Sequence, residues 1–420
     1  MYNTTQRISK DMMKQYNQKL ILRILMKNGA TSKSTLAKQT GLTLPAIADI
    51  VDKLENYQLI KNIGASKTDR GRFPTLYDIE EKTLKVIGVG ITSKHITIGI
   101  YNLKGEKLVH QSEDLPHNTS PEPLINKITL VINHLLQKKG FHRSEFLGIG
   151  VGMHGIVDYQ KGVAIYPPHL DWENVPIKEQ LERAIDLPVL VDNDCNALTL
   201  AESWFGDAKE ENSFIVVNVD YGIGAGIMID RKIFHGIDFG AGQIGHTIVD
   251  GDGPLCTCGN YGCLEALASE ASILEQIQKK MKKGFPTILH DVREVPDDIM
   301  ISDVYEALIK GDALVLNVVE EAARYVGIAV STLVNIINPE KIILTGSLIS
   351  NASKETYSSL VDSFAKHALK TNTKKLEVVK SNLMDHTIAL GAASQWINEL
   401  LLGSLSLKRE MGINTLSQNM

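Results

Sequence analysis

The sequence predicts a small winged helix-turn-helix head followed by two related α/β halves, and three observations carry that expectation. The first is charge. Residues 1–80 hold 13 Lys+Arg against 7 Asp+Glu, a balance of +6, whereas the other 340 hold 31 against 42, a balance of −11. The second is a set of three short helical patterns near the N-terminus, with a glycine turn between the second and third. The third is a strand–turn–strand pattern around glycines that opens twice, near residue 84 and again at residue 213. With 420 residues, 43% of them hydrophobic, the chain can bury more than one core.

In the head, KLILRILMKNG places Leu20, Ile21, Ile24 and Leu25 at helical spacing, and Asn28-Gly29 supplies a stop. Thr31 or Ser32 can cap a second helix that buries Leu36 and Ala37, and Gly41 turns the chain. Thr43 can cap a third, with Pro45 in the first turn, where its missing N–H costs nothing. Ile47, Ile50, Val51 and Leu54 form its buried stripe. Three such helices follow the helix-turn-helix plan. The stretch LIKNIGASKTDRGRFPTLYDI then reads as a two-stranded wing carrying Lys67, Arg70 and Arg72 on a Gly-rich tip, suited to phosphate or minor-groove contact. Thr43, Leu44, Pro45, Ala46 and Asp49 lie near the start of the third helix as candidates for base or phosphate contact. Ser32, Lys33, Ser34, Lys38 and the wing are candidates for the DNA backbone. A basic head on an acidic body points to a polyanion met by the head alone. A helical bundle with a solvated basic loop is the blander alternative.

No stretch approaches the apolar run of about 20 residues that a membrane span needs. The opening MYNTTQRISKDMMKQYNQK has no apolar signal-peptide core. The expectation is a cytoplasmic protein without a membrane partner. The chain has 4 cysteines, three of them within HTIVDGDGPLCTCGNYGC. In a reducing compartment, clustered thiols hold a metal more often than they pair.

In the acidic body, LKVIGVGITSKHITIGIYNLKGEKLVHQSEDL reads as a β-meander, followed by an amphipathic helix and the buried strand FLGIGVGMHGIV. LPVLVDNDCNALTLAESWFG reads as strand, loop and helix. The second round runs from SFIVVNVDYGIGAGIMIDRKIFHG through helices to the strand KIILTG. Two similar halves point to a duplicated fold with a ligand crevice between them. The division expected is 1–80 for the head, 81–200 for the first lobe, 201–400 for the second and 401–420 for a tail.

The residues at this point resemble the ROK family (repressors, open reading frames, kinases), of the xylose and N-acetylglucosamine repressor type. GQIGHTIVDGDGPLCTCGNYGCLEALAS carries the resemblance most strongly, with DNDCNALTLAESWFG and DYGIGAGI in support. It implies a duplicated actin-like, sugar-kinase-like (ribonuclease H-like) fold with a structural zinc loop. The spacing His-x9-Cys-x-Cys-x4-Cys then assigns His246, Cys256, Cys258 and Cys263 as zinc ligands. One imidazole and three thiolates close a tetrahedron and leave no position for water. The resemblance places sugar-binding groups at Gln243, where the family has glutamate, at His246 and at Glu265. It also places them at Asn193 and Asp194, and at His169, which stands where the family usually has asparagine. In the family's kinases the aspartate matching Asp194 is the catalytic base.

The nucleotide loops depart from the family pattern. Gly90 replaces the aspartate of the first loop, and Thr92 and Ser93 replace its paired glycines. Asp220 and Tyr221 stand in the second loop, and Ser347 stands in the glycine pair that passes under adenosine. Phosphoryl transfer needs backbone N–H groups around the phosphates, so these changes count against turnover. Asp194 is therefore expected as a vestigial base. The expected function is a sugar-responsive repressor of a carbohydrate-utilisation operon, with operator DNA and a sugar inducer as partners and a homodimer or homotetramer as the assembly. Two other readings stay open: a bifunctional ATP-dependent sugar kinase that also binds DNA, and a DNA-binding regulator controlled by a protein partner.

Overall fold

The structure is a computed structural model that describes residues 10–65, 74–116, 119–167, 170, 172–383 and 387–403. The chain divides into two compact units, residues 1–205 with 385–420, and residues 206–384.

The head opens the first unit. Helices Lys10–Asn28, Lys33–Thr40 and Leu44–Asn56 are followed by strands Ile60–Ala65 and Thr75–Ile79, which pair antiparallel from Ile60↔Ile79 to Ala65↔Thr75. The capping chemistry accounts for the boundaries. Ser32 accepts the Thr35 N–H at the second helix, and Thr43 accepts the Ala46 N–H at the third. Gly41 ends the second helix in the left-handed region at φ +72°. The residues expected in the buried stripe, Ile47, Ile50, Val51 and Leu54, are all buried.

Behind the head lies a five-stranded sheet, in the order Val189–Asn193, Phe146–Met153, Lys85–Ile91, His95–Asn102, Lys107–Asp114. The first three strands run parallel, and the last three form an antiparallel meander. Strand Lys85–Ile91 shows why two different layers cover it. Side chains alternate across a strand, and Ile87, Val89 and Ile91 face one core with helices Pro121–Lys139 and Ile177–Ile185. The glycines between them face the closing helix Thr387–Leu401. A Cβ on Gly88 would lie 1.8 Å from the Ala389 carbonyl oxygen, and one on Gly150 would lie 1.8 Å from that of Ala392. Bare strands let this helix sit directly on the sheet.

The sequence division placed residues 201–400 in one lobe. The closing helix instead packs on the first unit's sheet and on helix Asp194–Trp204. Nor does the head have a core of its own. Ile21, Leu25, Leu54 and Ile79 share one hydrophobic cluster with Val86, Leu103, Trp204, Trp396, Ile397 and Leu401. Lys104 pairs with Asp78 at 2.7 Å, Lys61 with Glu81, and Lys19 donates to the Gly403 carbonyl.

The second unit repeats the plan. Its five strands run Lys232–Ile233, Ile223–Ile229, Phe214–Val219, Lys341–Thr345, Glu377–Lys380, again a meander on one side and parallel pairs on the other. Helices Ala313–Ile337 and Lys354–His367 pack on each other over its core. The duplicated order is the one anticipated from the glycine-centred hairpins. Among the described residues, no helix is long and apolar enough to cross a membrane.

Candidate functional sites

The Cys/His loop lies in the second unit, between the short turn Ile244–His246 and helix Leu264–Ala268. One donor atom each from His246, Cys256, Cys258 and Cys263 falls within 4.8 Å of the others. Cys256 Sγ is 3.6 Å from His246 Nδ1, and Cys258 Sγ is 3.6 Å from Cys263 Sγ. A tetrahedron with metal–sulfur bonds of about 2.3 Å has edges of about 3.7 Å, so the four donors fit one small ion. The backbone supports the closure. Gly262 has φ +68°, and a Cβ there would meet the Asp250 carbonyl oxygen at 1.5 Å. Asp250 in turn accepts the Tyr325 hydroxyl at 3.0 Å, which ties the loop to the long helix. The Asn260 backbone lowers the pKa of the exposed Cys258 thiol, while burial and the neighbouring thiols push Cys263 up to about 12. A divalent ion at this point would favour the thiolate ligands. The residues present can hold a metal.

Glu265 follows two residues after Cys263, in the helix Leu264–Ala268. Its Oε2 accepts the Ile223 N–H at 3.0 Å, so the carboxylate links the loop to the start of strand Ile223–Ile229. Gln243 immediately precedes the turn that carries His246. Gln243, His246 and Glu265 are all half-buried in the second unit.

Asn193 and Asp194 belong to the first unit. No loop separates strand from helix there, contrary to expectation. Asn193 ends the strand and caps helix Asp194–Trp204, accepting from the Cys195 and Asn196 N–H groups at 2.8 and 3.3 Å. Its Nδ2 donates to the Gly155 carbonyl at 2.9 Å. The Asp194 carboxylate accepts from the Cys195 N–H and stays half-buried. His169 lies outside the described residues.

The hairpin tips have internal bonding that sequence reasoning missed. In the first unit the Thr92 hydroxyl accepts from the Lys94 and His95 N–H groups at 3.3 and 3.0 Å. A side chain on Gly90 would press on Ile388 and Ala389 of the closing helix. In the second unit, Asp220 Oδ1 accepts the Tyr221 N–H at 2.8 Å and the Ser347 hydroxyl at 3.0 Å. The two residues are 127 positions apart, and no local pattern signals their meeting.

On the head, Ser34, Lys38, Thr43, Leu44, Pro45 and Asp49 are exposed and Ala46 is half-buried. Leu44 is 55% exposed at the start of the third helix. Ser32 is buried and its hydroxyl caps the second helix. Lys33 is paired with Asp52 at 2.9 Å and lies over the Tyr77 ring, and Asp49 is paired with Lys53. Lys67, Arg70 and Arg72 lie outside the described residues.

Known proteins resemble this arrangement along nearly its whole length. A winged helix-turn-helix DNA-binding model matches residues 15–61, and the ROK family model matches residues 86–399. The xylose repressor of Caldicellulosiruptor bescii is 31% identical over 93% of this chain and 97% of its own. The DNA-binding transcriptional dual regulator NagC of Escherichia coli K12 is 31% identical over 94% and 95%. A crystal structure of a ROK family transcriptional regulator, a homolog of the E. coli MLC protein, superposes with a TM-score of 0.80 at 26% identity, covering 95% of this chain and 99% of that one. With a winged head, a duplicated α/β body and a Cys/His loop all in place, the chain belongs to the ROK family.

Proposed function

We propose that this chain is a sugar-responsive transcriptional repressor of a carbohydrate-utilisation operon, acting in the cytoplasm without turning over nucleotide. The observation that carries this reading is the union of the two family models on one chain, with named regulators matched across both. Operator DNA is bound by the head. Ser32, Lys33, Ser34, Lys38, Thr43, Leu44, Pro45 and Ala46 contact it from the helices, and Lys67, Arg70 and Arg72 from the wing. A two-fold operator calls for at least a dimer.

The inducer is a small sugar whose hydroxyls are bound by Asn193, Asp194, His169, Gln243, His246 and Glu265. A neutral amide at Gln243 still donates and accepts hydrogen bonds. Zinc is the ion proposed for the Cys/His loop, where it supplies a fixed structural charge behind the sugar-binding wall. His246 Nδ1 faces the thiols, and with that nitrogen on the metal the opposite one would carry the N–H and donate to a hydroxyl. Sugar releases DNA only by binding two arrangements of the protein unequally.

The test is operator binding by fluorescence anisotropy with a panel of monosaccharides. The parent should release DNA with at least one of them. Glu265→Ala should bind operator normally and lose the response; a mutant that still releases DNA on adding sugar would sink the site assignment. Retention of Asp194 favours the sugar-kinase alternative, and a coupled ADP-release assay with the same panel decides it: sugar-dependent ADP formation would replace the non-enzymatic reading.

A further inference from the structure

The second unit contains an anion of its own at the turn where a nucleotide-binding member of this fold would need donors. We propose that Asp220 is a tethered anion that occupies the hydrogen-bond donors at the end of strand Phe214–Val219 and so excludes nucleotide phosphates from this unit. The inference rests on the non-enzymatic reading above and supplies a physical cause for it.

Three features of the turn support it. First, Asp220 Oδ1 takes both the Tyr221 N–H and the Ser347 hydroxyl, at 2.8 and 3.0 Å. These are the donor types that a phosphate oxygen would use. Second, another donor of the turn is also taken by a carboxylate of this chain, since Ile223 N–H donates to Glu265. The tip carries negative charge on both sides of Gly222. Third, Ser347 is held in place by backbone packing. Gly346 sits at φ +98°, and a Cβ there would lie 2.3 Å from the Val219 carbonyl oxygen and 2.7 Å from Asn218 Oδ1. The turn after strand Lys341–Thr345 is therefore pressed against the end of strand Phe214–Val219, with the hydroxyl aimed at Asp220. The Glu270 N–H donates to the Asp220 carbonyl at 3.0 Å and braces the turn from the helix side. The two departures noted separately in the sequence, an aspartate in one glycine loop and a serine in another, are a bonded pair. The chain fills its own cradle.

The charge matters more than the bulk. A carboxylate a few ångströms from an incoming phosphate repels it by an amount worth about tenfold or more in affinity, even after solvent screening. Neutral substitution should therefore restore anion binding, while loss of the serine alone should not.

The experiment is calorimetric titration of the full-length, metal-loaded protein with ADP in low-salt buffer, each variant first checked by its unfolding midpoint and operator binding. The parent and Ser347→Gly should show no saturable heat. Asp220→Gly should bind ADP with saturable heat, and Asp220→Asn, which keeps the bonding but drops the charge, should show weaker but saturable heat where the parent shows none. Tight ADP binding by the parent would overturn the proposal together with the non-enzymatic reading. Folded Asp220→Gly and Asp220→Asn that both ignore ADP, while sugar still releases operator from them, would overturn the tethered-anion proposal and leave the repressor reading standing. Rescue by Asp220→Gly but not by Asp220→Asn would support the occupation of the donors by this side chain and would show that its charge adds little.

Discussion

The winged head and the Cys/His loop reach order by opposite means. The head is built around large buried aliphatic side chains such as Ile21, Leu22, Leu36, Ile47 and Leu54, and its core runs on without a break into the sheet and closing helix behind it. The loop buries few such groups and leaves Ile248, Leu255 and Tyr261 about three-fifths exposed, at 61%, 61% and 60%. What converges there is four donor atoms. A segment with so little apolar burial cannot offset the entropy of ordering its backbone, whereas a bound dication can. The head should therefore be sensitive to volume and the loop to chelation.

The largest expected effect breaks the loop side of this contrast. Cys263→Ala should abolish stoichiometric metal, a loss on the scale of about 10 kcal/mol of binding free energy for a closed thiolate site. Elemental analysis and sugar-induced operator release should both report it, while operator binding itself survives. Loss of DNA binding on chelation alone would show that the head depends on the loop.

Next is the head side. Trp396 is buried in the closing helix, and its indole N–H donates to the Ile149 carbonyl at 2.9 Å. Trp396→Ala should cost about 3–5 kcal/mol in chemical denaturation. Because the core is shared, operator binding should fail along with the first unit, although the residue is more than 300 positions from the wing. Retention of full DNA affinity at a temperature where this unit has unfolded would show the head to be autonomous.

A smaller effect sharpens the comparison without touching either core. Arg70→Ala with Arg72→Ala should weaken operator binding across sequences and make its salt dependence shallower by about 2 in the log–log slope. An altered base preference with an unchanged slope would move the wing into direct readout.

The smallest concerns Lys85, which is buried against Glu145 at 2.6 Å. The ammonium holds the Glu145 carboxyl below the usual range. A depressed carboxylate stabilises the fold above its unfolded pKa and loses that contribution as pH falls through the folded value. Glu145→Gln should cost about 1 kcal/mol near neutral pH, and the gap from the parent should close in acid. A gap that widened below pH 4 would reverse the assignment.

What was legible in the sequence was chemistry set by local spacing. The caps at Ser32 and Thr43, the turn at Gly41, the glycine-centred hairpins and the grouping of His246 with Cys256, Cys258 and Cys263 all involve nearby positions in the chain. Partnership across long separations was not legible. The apolar stripe of Thr387–Leu401 announces a buried face but not what it buries against, so the helix was placed with the wrong half. Asp220 and Ser347 each looked like an isolated departure from a glycine motif, since nothing local to either reveals the other. Ser32 shows a related limit: a hydroxyl at a helix start fits both a cap and a phosphate contact, and the structure shows the cap.

The position of the closing helix has a consequence for how the protein is made. The DNA reader is synthesised before Trp396, Ile397, Leu400 and Leu401, which complete its foundation and leave the ribosome more than 300 residues later. A chain cut short by a premature stop carries the whole reading head without the floor beneath it. Such fragments should occupy no operators, so the cell's supply of repressor counts only finished molecules.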